Sequence, residues 1–125
     1  MTAPTPATRA ALLERDGHRC IVCGAITRLE AQHRQAVGMG GSKRRPTLVE
    51  LVAACTVHNN AFEAEMQEYA IEHGYKVRKW VKDCALVPVF YPRDLAWFRL
   101  EDNRRIQITV REAQQMFDEV YGKAA

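Results

Sequence analysis

Two short stretches decide the fold of this 125-residue chain: Arg19-Cys20-Ile21-Val22-Cys23-Gly24 and Cys55-Thr56-Val57-His58. Each carries two metal-ligating side chains with two residues between them. Three thiols and one imidazole in this spacing are typical of a tetrahedral zinc site. A Cys₃His site has no open coordination position, so we expect a structural zinc that organises the segment between the two pairs. The alternative is that these are ordinary buried thiols and a histidine at a helix start.

The composition is that of a globular protein, with 47% hydrophobic and 26% charged residues, and the length predicts a single domain. Residues 1–8 hold two prolines and no core-forming pattern, so we expect them to be disordered. No segment is apolar enough to span a membrane and no secretory signal is visible, which favours metal-bound over disulfide-bonded cysteines. The expected location is the cytoplasm.

The net charge of +3 is unevenly distributed. Residues 1–60 carry eight Lys and Arg against four Asp and Glu, whereas residues 61–125 carry ten against eleven. The cysteine-bearing half is therefore the basic half, which fits a polyanionic partner. A solvated basic surface explains the charge equally well.

Hydrophobic periodicity and turn residues predict an α+β chain, with a zinc domain over residues 9–74 and an extension over 75–125. Gly74 is expected to end a long helix, and Pro88 favours an edge strand or a bulge over a central strand. Trp80 is expected in the core. The predicted elements are a helix over Arg9–Arg15 capped by Thr8, strands over Leu29–Ala36 and Leu48–Ala54, a helix over Asn59–His73, strands over Tyr75–Val81 and Val87–Tyr91, a hairpin of Leu95–Glu101 with Arg105–Val110, and a helix to Tyr121 that begins with a Thr109–Glu112 capping box.

A knuckle turn at Cys20–Gly24, a β-hairpin and a helix that carries Cys55 and His58 form a treble-clef arrangement. Over about residues 9–65 the chain resembles the HNH endonucleases, and most of all the small HNH proteins common in bacteriophage genomes. The residues that carry the resemblance are Arg15-Asp16-Gly17-x-x-Cys20-x-x-Cys23-Gly24, Gln32-His33-Arg34, Gly38-Met39-Gly40-Gly41 and Leu48-Val49-Glu50-Leu51-Val52-x-x-Cys55-x-x-His58-Asn59.

The resemblance implies a ββα-metal element that hydrolyses DNA phosphodiesters with Mg²⁺ or Mn²⁺ beside the structural Zn²⁺. His33 would be the general base, a task suited to an imidazole near neutral pH. Asn59 would bind the catalytic metal if His58 completes the zinc site; the alternative makes His58 the catalytic ligand. Gln32 stands where the family has Asp or His, Glu50 stands where it has Asn, and Asn59 stands where it has its final His, so three positions depart from the pattern.

Basic residues near His33 are candidates for contacts with DNA phosphates. They are Arg34, Lys43, Arg44 and Arg45. A flexible, solvated loop is the alternative for the last three. The function expected from the resemblance is that of a DNA endonuclease, with a homodimer as one option for its oligomeric state. If a phage encodes the protein, the expected location is the cytoplasm of the host cell. The alternatives are a catalytically degenerate HNH fold that binds DNA or protein, and a zinc protein unrelated to DNA.

Overall fold

The computed structural model describes residues 3–36 and 44–122, which form a mixed α+β fold with two small antiparallel sheets. None of the helices in these ranges is long and apolar enough to cross a membrane. Lys43 and the rest of the glycine-rich stretch, residues 37–43, lie outside the described residues. The elements are α1 (Pro6–Arg15), β1 (Leu29–His33), β2 (Leu51–Cys55), α2 (Thr56–Ala61), α3 (Gln67–Glu72), β3 (Val89–Tyr91), β4 (Ala96–Glu101), β5 (Arg104–Ile108) and α4 (Val110–Tyr121), with 3-10 turns at Leu48–Glu50, Cys84–Leu86 and Pro92–Asp94.

The N-terminal helix begins earlier than the sequence predicts. Thr5 is its N-cap, and the Thr5 hydroxyl accepts a hydrogen bond from the backbone N–H of Thr8. Pro6 takes the first helical position, where its fixed φ suits the helix and its missing N–H costs nothing. The prediction of a Thr8 cap is therefore wrong, and so is disorder for residues 6–8.

The first sheet is a hairpin of β1 and β2, in which Leu29 pairs with Cys55 and His33 with Leu51. Every residue of β2 is buried, as expected for the apolar run that the sequence shows there. The predicted first strand is too long: β1 ends at His33, and the next side chain, Arg34, is fully buried. The hairpin carries Cys55 directly into α2.

The predicted Asn59–His73 helix is two short helices, α2 and α3. Between them the N–H of Met66 bonds back five residues to the carbonyl of Ala61, a wide turn that ends the first helix. This break lets Phe62 and Ala70, both with no exposed surface, pack in the same core. Gly74 follows α3 as predicted; its φ is +83°, and a Cβ there would lie 1.8 Å from the carbonyl oxygen of Pro88.

The predicted strand over Tyr75–Val81 is not formed. Its backbone makes one isolated bridge, between Val77 and Gln35. The Gln35 amide instead donates to the carbonyls of Arg78, Lys79 and Val81, so those carbonyls are held by a side chain rather than by a strand.

The second sheet has the order β3-β4-β5. Pro88 directly precedes β3, and β3 lies at the sheet edge, as predicted. The β4–β5 hairpin and the capping box at the start of α4 are also confirmed, with Thr109 and Glu112 each accepting a hydrogen bond from the other's backbone.

One buried cluster joins the two sheets. It contains Val52 and Ala54 of β2 and residues of the second sheet such as Phe98. Phe62, which follows α2, and Tyr75, which follows α3, belong to the same cluster. Residues from both predicted parts, 9–74 and 75–125, thus share a core. The extension is part of what holds the cysteine-bearing half in place.

Candidate metal centre and adjoining cleft

Cys20, Cys23, Cys55 and His58 come together as the sequence predicts. Their ligand atoms all lie within 4.8 Å of one another, an arrangement that can hold a metal ion. Within the described ranges it is the one group of three or more His, Cys, Asp or Glu side chains placed in this way. All four cysteines are free thiols, and Cys84 stands apart from the group as a buried residue.

Three separations within this Cys₃His cluster are close to the edges of a zinc-centred tetrahedron. The sulfurs of Cys23 and Cys55 are 3.9 Å apart, and Nδ1 of His58 lies 3.3 Å from the sulfur of Cys55 and 3.8 Å from that of Cys20. Tetrahedral Zn²⁺ with ordinary bond lengths requires about 3.8 Å between sulfurs and about 3.6 Å between sulfur and nitrogen. The donor set therefore fits a zinc ion, with Nδ1 as the imidazole donor.

Two tight local structures aim these ligands. In the knuckle, the N–H of Gly24 bonds to the carbonyl of Cys20, and Gly24 adopts a φ of +75° that suits a residue without a Cβ. In the second pair, Cys55 is the N-cap of α2, and His58 lies one turn along that helix. Burial opposes ionisation of the Cys20 thiol, but backbone hydrogen bonds, those of Cys23 first, lower its pKa overall.

A cleft of about 370 Å³ lies against the same hairpin and helix. His33 and Gln32 reach it from β1, and Asn59 reaches it from α2. Glu63 and the largely buried Lys76 form an ion pair in its wall. Three of the four predicted catalytic residues thus line one cavity beside the Cys₃His cluster.

Glu30 is a component of this site that the sequence did not reveal. Its carboxylate accepts hydrogen bonds from the side-chain amide of Asn59 and from the hydroxyl of Thr56. Because the Asn59 nitrogen is committed to Glu30, its carbonyl oxygen is the atom left to face a ligand. A signal did exist: Glu30 lies two residues before Gln32, and alternate residues of a strand share a face.

Gln32 is more constrained than a free ligand. Only 3% of the residue is exposed, and its amide nitrogen donates to the backbone carbonyl of His33 at 2.8 Å. This contact fixes the amide so that its oxygen is the remaining acceptor. Gln32 therefore supports the backbone at His33 in addition to lining the cleft.

Glu50 does not line the cleft, which corrects its predicted catalytic position. Its carboxylate accepts two hydrogen bonds from Arg44, each 2.9 Å long, and closes a capping box with Thr47. The bonds from Arg44, followed by those from Thr47, lower the pKa of Glu50 to about 2 although its burial opposes ionisation. Its link to the end of β1 is through the main chain, where the Glu50 carbonyl accepts a hydrogen bond from the N–H of Arg34.

Arg34 is a structural residue rather than a phosphate contact. It has no exposed surface, and its guanidinium donates to the carbonyls of Val49, Gly74, Cys84 and Val87. Burial away from any carboxylate lowers its pKa to about 10. The predicted DNA contact is wrong because every group that could meet a phosphate is turned inward.

The two other described basic candidates remain at the surface. Arg44 is exposed but pairs with Glu50, and Arg45 is exposed and donates to the carbonyl of Ala3. Lys43 belongs to the residues that are not described. A phosphate contact at Arg45 needs only the exchange of one surface hydrogen bond, whereas one at Arg44 would compete with Glu50.

Asp16, in the Arg15-Asp16-Gly17 motif, anchors the turn that carries Cys20 and Cys23 to both sheets. Its carboxylate pairs with Arg15 and accepts hydrogen bonds from the N–H of Ala53 and the hydroxyl of Tyr91. Burial raises the pKa of the Tyr91 phenol. The role of this motif is therefore to fix the position of the metal-binding turn.

No protein-family profile, no curated protein and no solved structure matches this chain. Function must therefore be argued from the two neighbouring features, the Cys₃His cluster and the cleft.

Proposed function

We propose that the protein is an HNH-type DNA endonuclease, with a treble-clef core held by a structural Zn²⁺ and a divalent ion as its catalytic metal. The observation that supports this proposal best is that one hairpin and one helix contribute residues to both sites. The β1–β2–α2 unit carries Cys55 and His58 on the cluster side, and it presents His33 and Asn59 to a shared cleft.

In this proposal His33 accepts the proton of the attacking water, and Asn59 offers its amide oxygen to Mg²⁺ or Mn²⁺. Such ions take oxygen ligands, keep several waters and need only one or two protein donors. The wall of the cleft provides donors of that kind, namely Asn59 and the Glu63 carboxylate. The metal would supply charge neutralisation at the scissile phosphate.

A binding module without catalytic activity is the second candidate. Glu63 is held by Lys76, Gln32 has replaced an acidic or imidazole ligand, and Glu50 is committed to Arg44. These contacts leave the cleft with few anionic donors for a second metal. A protein of this class would bind DNA or a protein partner through the same fold and cleave nothing.

A plasmid-nicking assay with Mg²⁺ or Mn²⁺ separates the two candidates. The parent should nick supercoiled DNA, and His33→Ala should slow nicking by about 10²- to 10⁴-fold, the usual contribution of a general base. His18→Asn is the matched control, because His18 is exposed, is not among the residues lining the cleft and has a φ of +55° that Asn tolerates. Nicking that survives His33→Ala, or binding without any nicking, would reject the proposed mechanism.

Glu30→Gln tests whether catalysis requires the Glu30 carboxylate to hold the Asn59 side chain in position. Glutamine cannot accept the Asn59 and Thr56 hydrogen bonds as a carboxylate does, so we expect nicking to slow by about tenfold, the cost of misplacing one ligand. Zinc content and thermal midpoint should stay those of the parent. An unchanged rate would show that Asn59 needs no such support or does not bind the metal.

A further inference from the structure

Trp80 is an exposed indole on a rigid support. It is 64% exposed although the sequence predicts it in the core. The ring of Tyr121 meets it edge-to-face, with centroids 5.4 Å apart and planes at 89°. The hydroxyl of Tyr121 also accepts a hydrogen bond from the N–H of Arg78. The indole is therefore largely exposed to solvent, and its contact with Tyr121 ties it to α4.

The surface beside Trp80 is continuous with the proposed catalytic cleft. A second depression, of about 320 Å³, runs from Ala36, Glu63 and Lys76 to Trp80. The first three of these residues also line the cleft that contains His33 and Asn59. The two depressions therefore adjoin, so a ligand in the cleft lies next to the surface of residues 76–80.

This path is basic. Arg78 and Lys79 line it, and Lys82 lies two residues beyond Trp80, next to the exposed Asp83; all three cations are exposed. Among the described residues none of the three forms an ion pair. The acidic group on the path, Glu63, is paired with Lys76, and Glu72 lies in a separate depression on the α4 side of Trp80.

The same segment is tied to the proposed catalytic strand. Gln35, two residues beyond His33, donates to the carbonyls of Arg78, Lys79 and Val81 at 2.8–3.3 Å. The indole and its flanking cations are therefore held at a fixed position relative to His33. Preorganisation of this kind reduces the entropy lost when a ligand binds.

We propose that residues 76–82 bind a DNA strand with unpaired bases and lead it into the His33–Asn59 cleft. A flat aromatic face stacks on a base only when that base is not already stacked inside a duplex, and nearby cations track the phosphates. A duplex would offer this surface phosphates but no base faces. The inference rests on the proposed function, and it names the substrate as single-stranded, frayed or branched DNA.

Binding, measured apart from cleavage, tests this surface. Fluorescence anisotropy of zinc-loaded His33→Ala protein with a labelled 12-nucleotide strand, and with the matching duplex, gives both affinities without turnover. Adding Trp80→Ala should weaken binding of the single strand by about tenfold or more and that of the duplex by less than about threefold. Trp80→Phe should keep most of the affinity, and Val110→Ala is the control for loss of an exposed apolar side chain elsewhere.

The salt dependence of binding tests the basic side chains of this surface separately. Lys79→Gln should reduce the dependence of log affinity for the single strand on log salt concentration by about 0.7, the value for one lost phosphate contact. Arg111→Gln is the matched control, since Arg111 is exposed and lines a different depression. An equal fall of the slope in both variants would show non-specific attraction and overturn the assignment.

The outcomes distinguish this inference from the nuclease proposal. Single-strand affinity that is unchanged in Trp80→Ala overturns the inference, and plasmid nicking by the parent would still support the nuclease. Trp80-dependent binding together with a parent that cleaves neither plasmid nor single-stranded DNA supports the surface and rejects the nuclease. A protein that binds neither strand nor duplex overturns the inference outright.

Discussion

The β1–β2–α2 region and the β3–β4–β5–α4 region are held together by different forces. In the first, buried polar groups make the long-range connections: Arg34 reaches four carbonyls, and Asp16 joins Arg15, Ala53 and Tyr91. In the second, aromatic rings do this, since Trp97 stacks with His73 and meets Phe90 and Phe117. Buried polar groups must be satisfied in fixed directions, whereas rings need only fill space.

This difference explains why the sequence motifs are confined to one region. A thiol, a carboxylate or a guanidinium can be replaced by few other residues without leaving partners unpaired, so the first region shows recognisable spacing. Apolar positions of the second region accept several residues of similar volume. The first region should therefore fail abruptly when one polar group is removed, and the second should lose stability gradually.

Metal removal should have the largest effect. Binding of a structural zinc is typically worth about 10–16 kcal/mol, against about 5–15 kcal/mol for the stability of a whole domain. We expect purified protein to contain one zinc per chain, and a strong chelator to abolish its cooperative thermal unfolding transition, followed by circular dichroism. Cys84→Ala, which removes a thiol outside the cluster, should retain the zinc. A chelated protein with the same thermal midpoint would show that the polar region stands without the ion.

Arg34→Met should destabilise the fold by about 3–5 kcal/mol, because four carbonyls would lose a buried charged donor. Urea denaturation at pH 7 measures this loss. Arg78→Met, at an exposed position, should stay within about 0.5 kcal/mol of the parent. Equal stabilities for the two variants would contradict the assignment of Arg34 as a structural residue that holds the carbonyls of Val49, Gly74, Cys84 and Val87.

Glu50→Gln should cost about 1–2 kcal/mol at pH 7, a value reduced for solvent screening of the exposed Arg44. The folded pKa of Glu50 is lowered to about 2, so its contribution is present above the unfolded pKa near 4.3 and is lost as pH falls towards 2. The stability difference between parent and variant should shrink over that range. Glu65→Gln, at an exposed position, is the control, and a pH-independent difference would indicate that the pair with Arg44 is weak.

Leu95→Asn should produce the smallest effect and raise stability. Leu95, in the second region, is 84% exposed and adopts a φ of +51°, which a leucine side chain disfavours and asparagine tolerates. We expect a gain of about 0.5–1 kcal/mol by thermal unfolding. Leu86→Asn, exposed but without a positive φ, should show no such gain. A loss of stability at position 95 would mean that this leucine packs on something in solution.

Local patterns were sufficient where one short segment determines its own structure. The proximity of the four Cys₃His ligands, the capping box of α4, the β4–β5 hairpin and the edge position of β3 were all predictable. Each depends on spacing, on a turn or on the missing N–H of one proline. None of these features depends on the tertiary contacts made by the segment.

The errors occurred where distant segments compete for the same groups. The helix predicted over Asn59–His73 breaks because Phe62 and Ala70 enter a core built partly by the second sheet. Arg34 looked like a surface residue, yet the carbonyls of Gly74, Cys84 and Val87 that bind it come from far along the chain. Glu50 looked catalytic, but its carboxylate is bound by Arg44, a near neighbour in sequence. The sequence did not indicate the roles of Glu30 and Trp80, because their contacts with Asn59 and Tyr121 form only in the folded chain.

By itself the sequence determined the chemistry: which thiols and imidazole can share an ion, and which histidine and asparagine flank the hairpin. Only the tertiary structure decided which polar side chains remain available, because burial and partners lie outside any local pattern. It turned Arg34 inward, bound Glu50 to Arg44, fixed Asn59 through Glu30 and left Trp80 exposed beside the cleft. A side chain keeps its reactivity from its covalent structure, but its neighbours determine whether it meets a ligand or the protein interior.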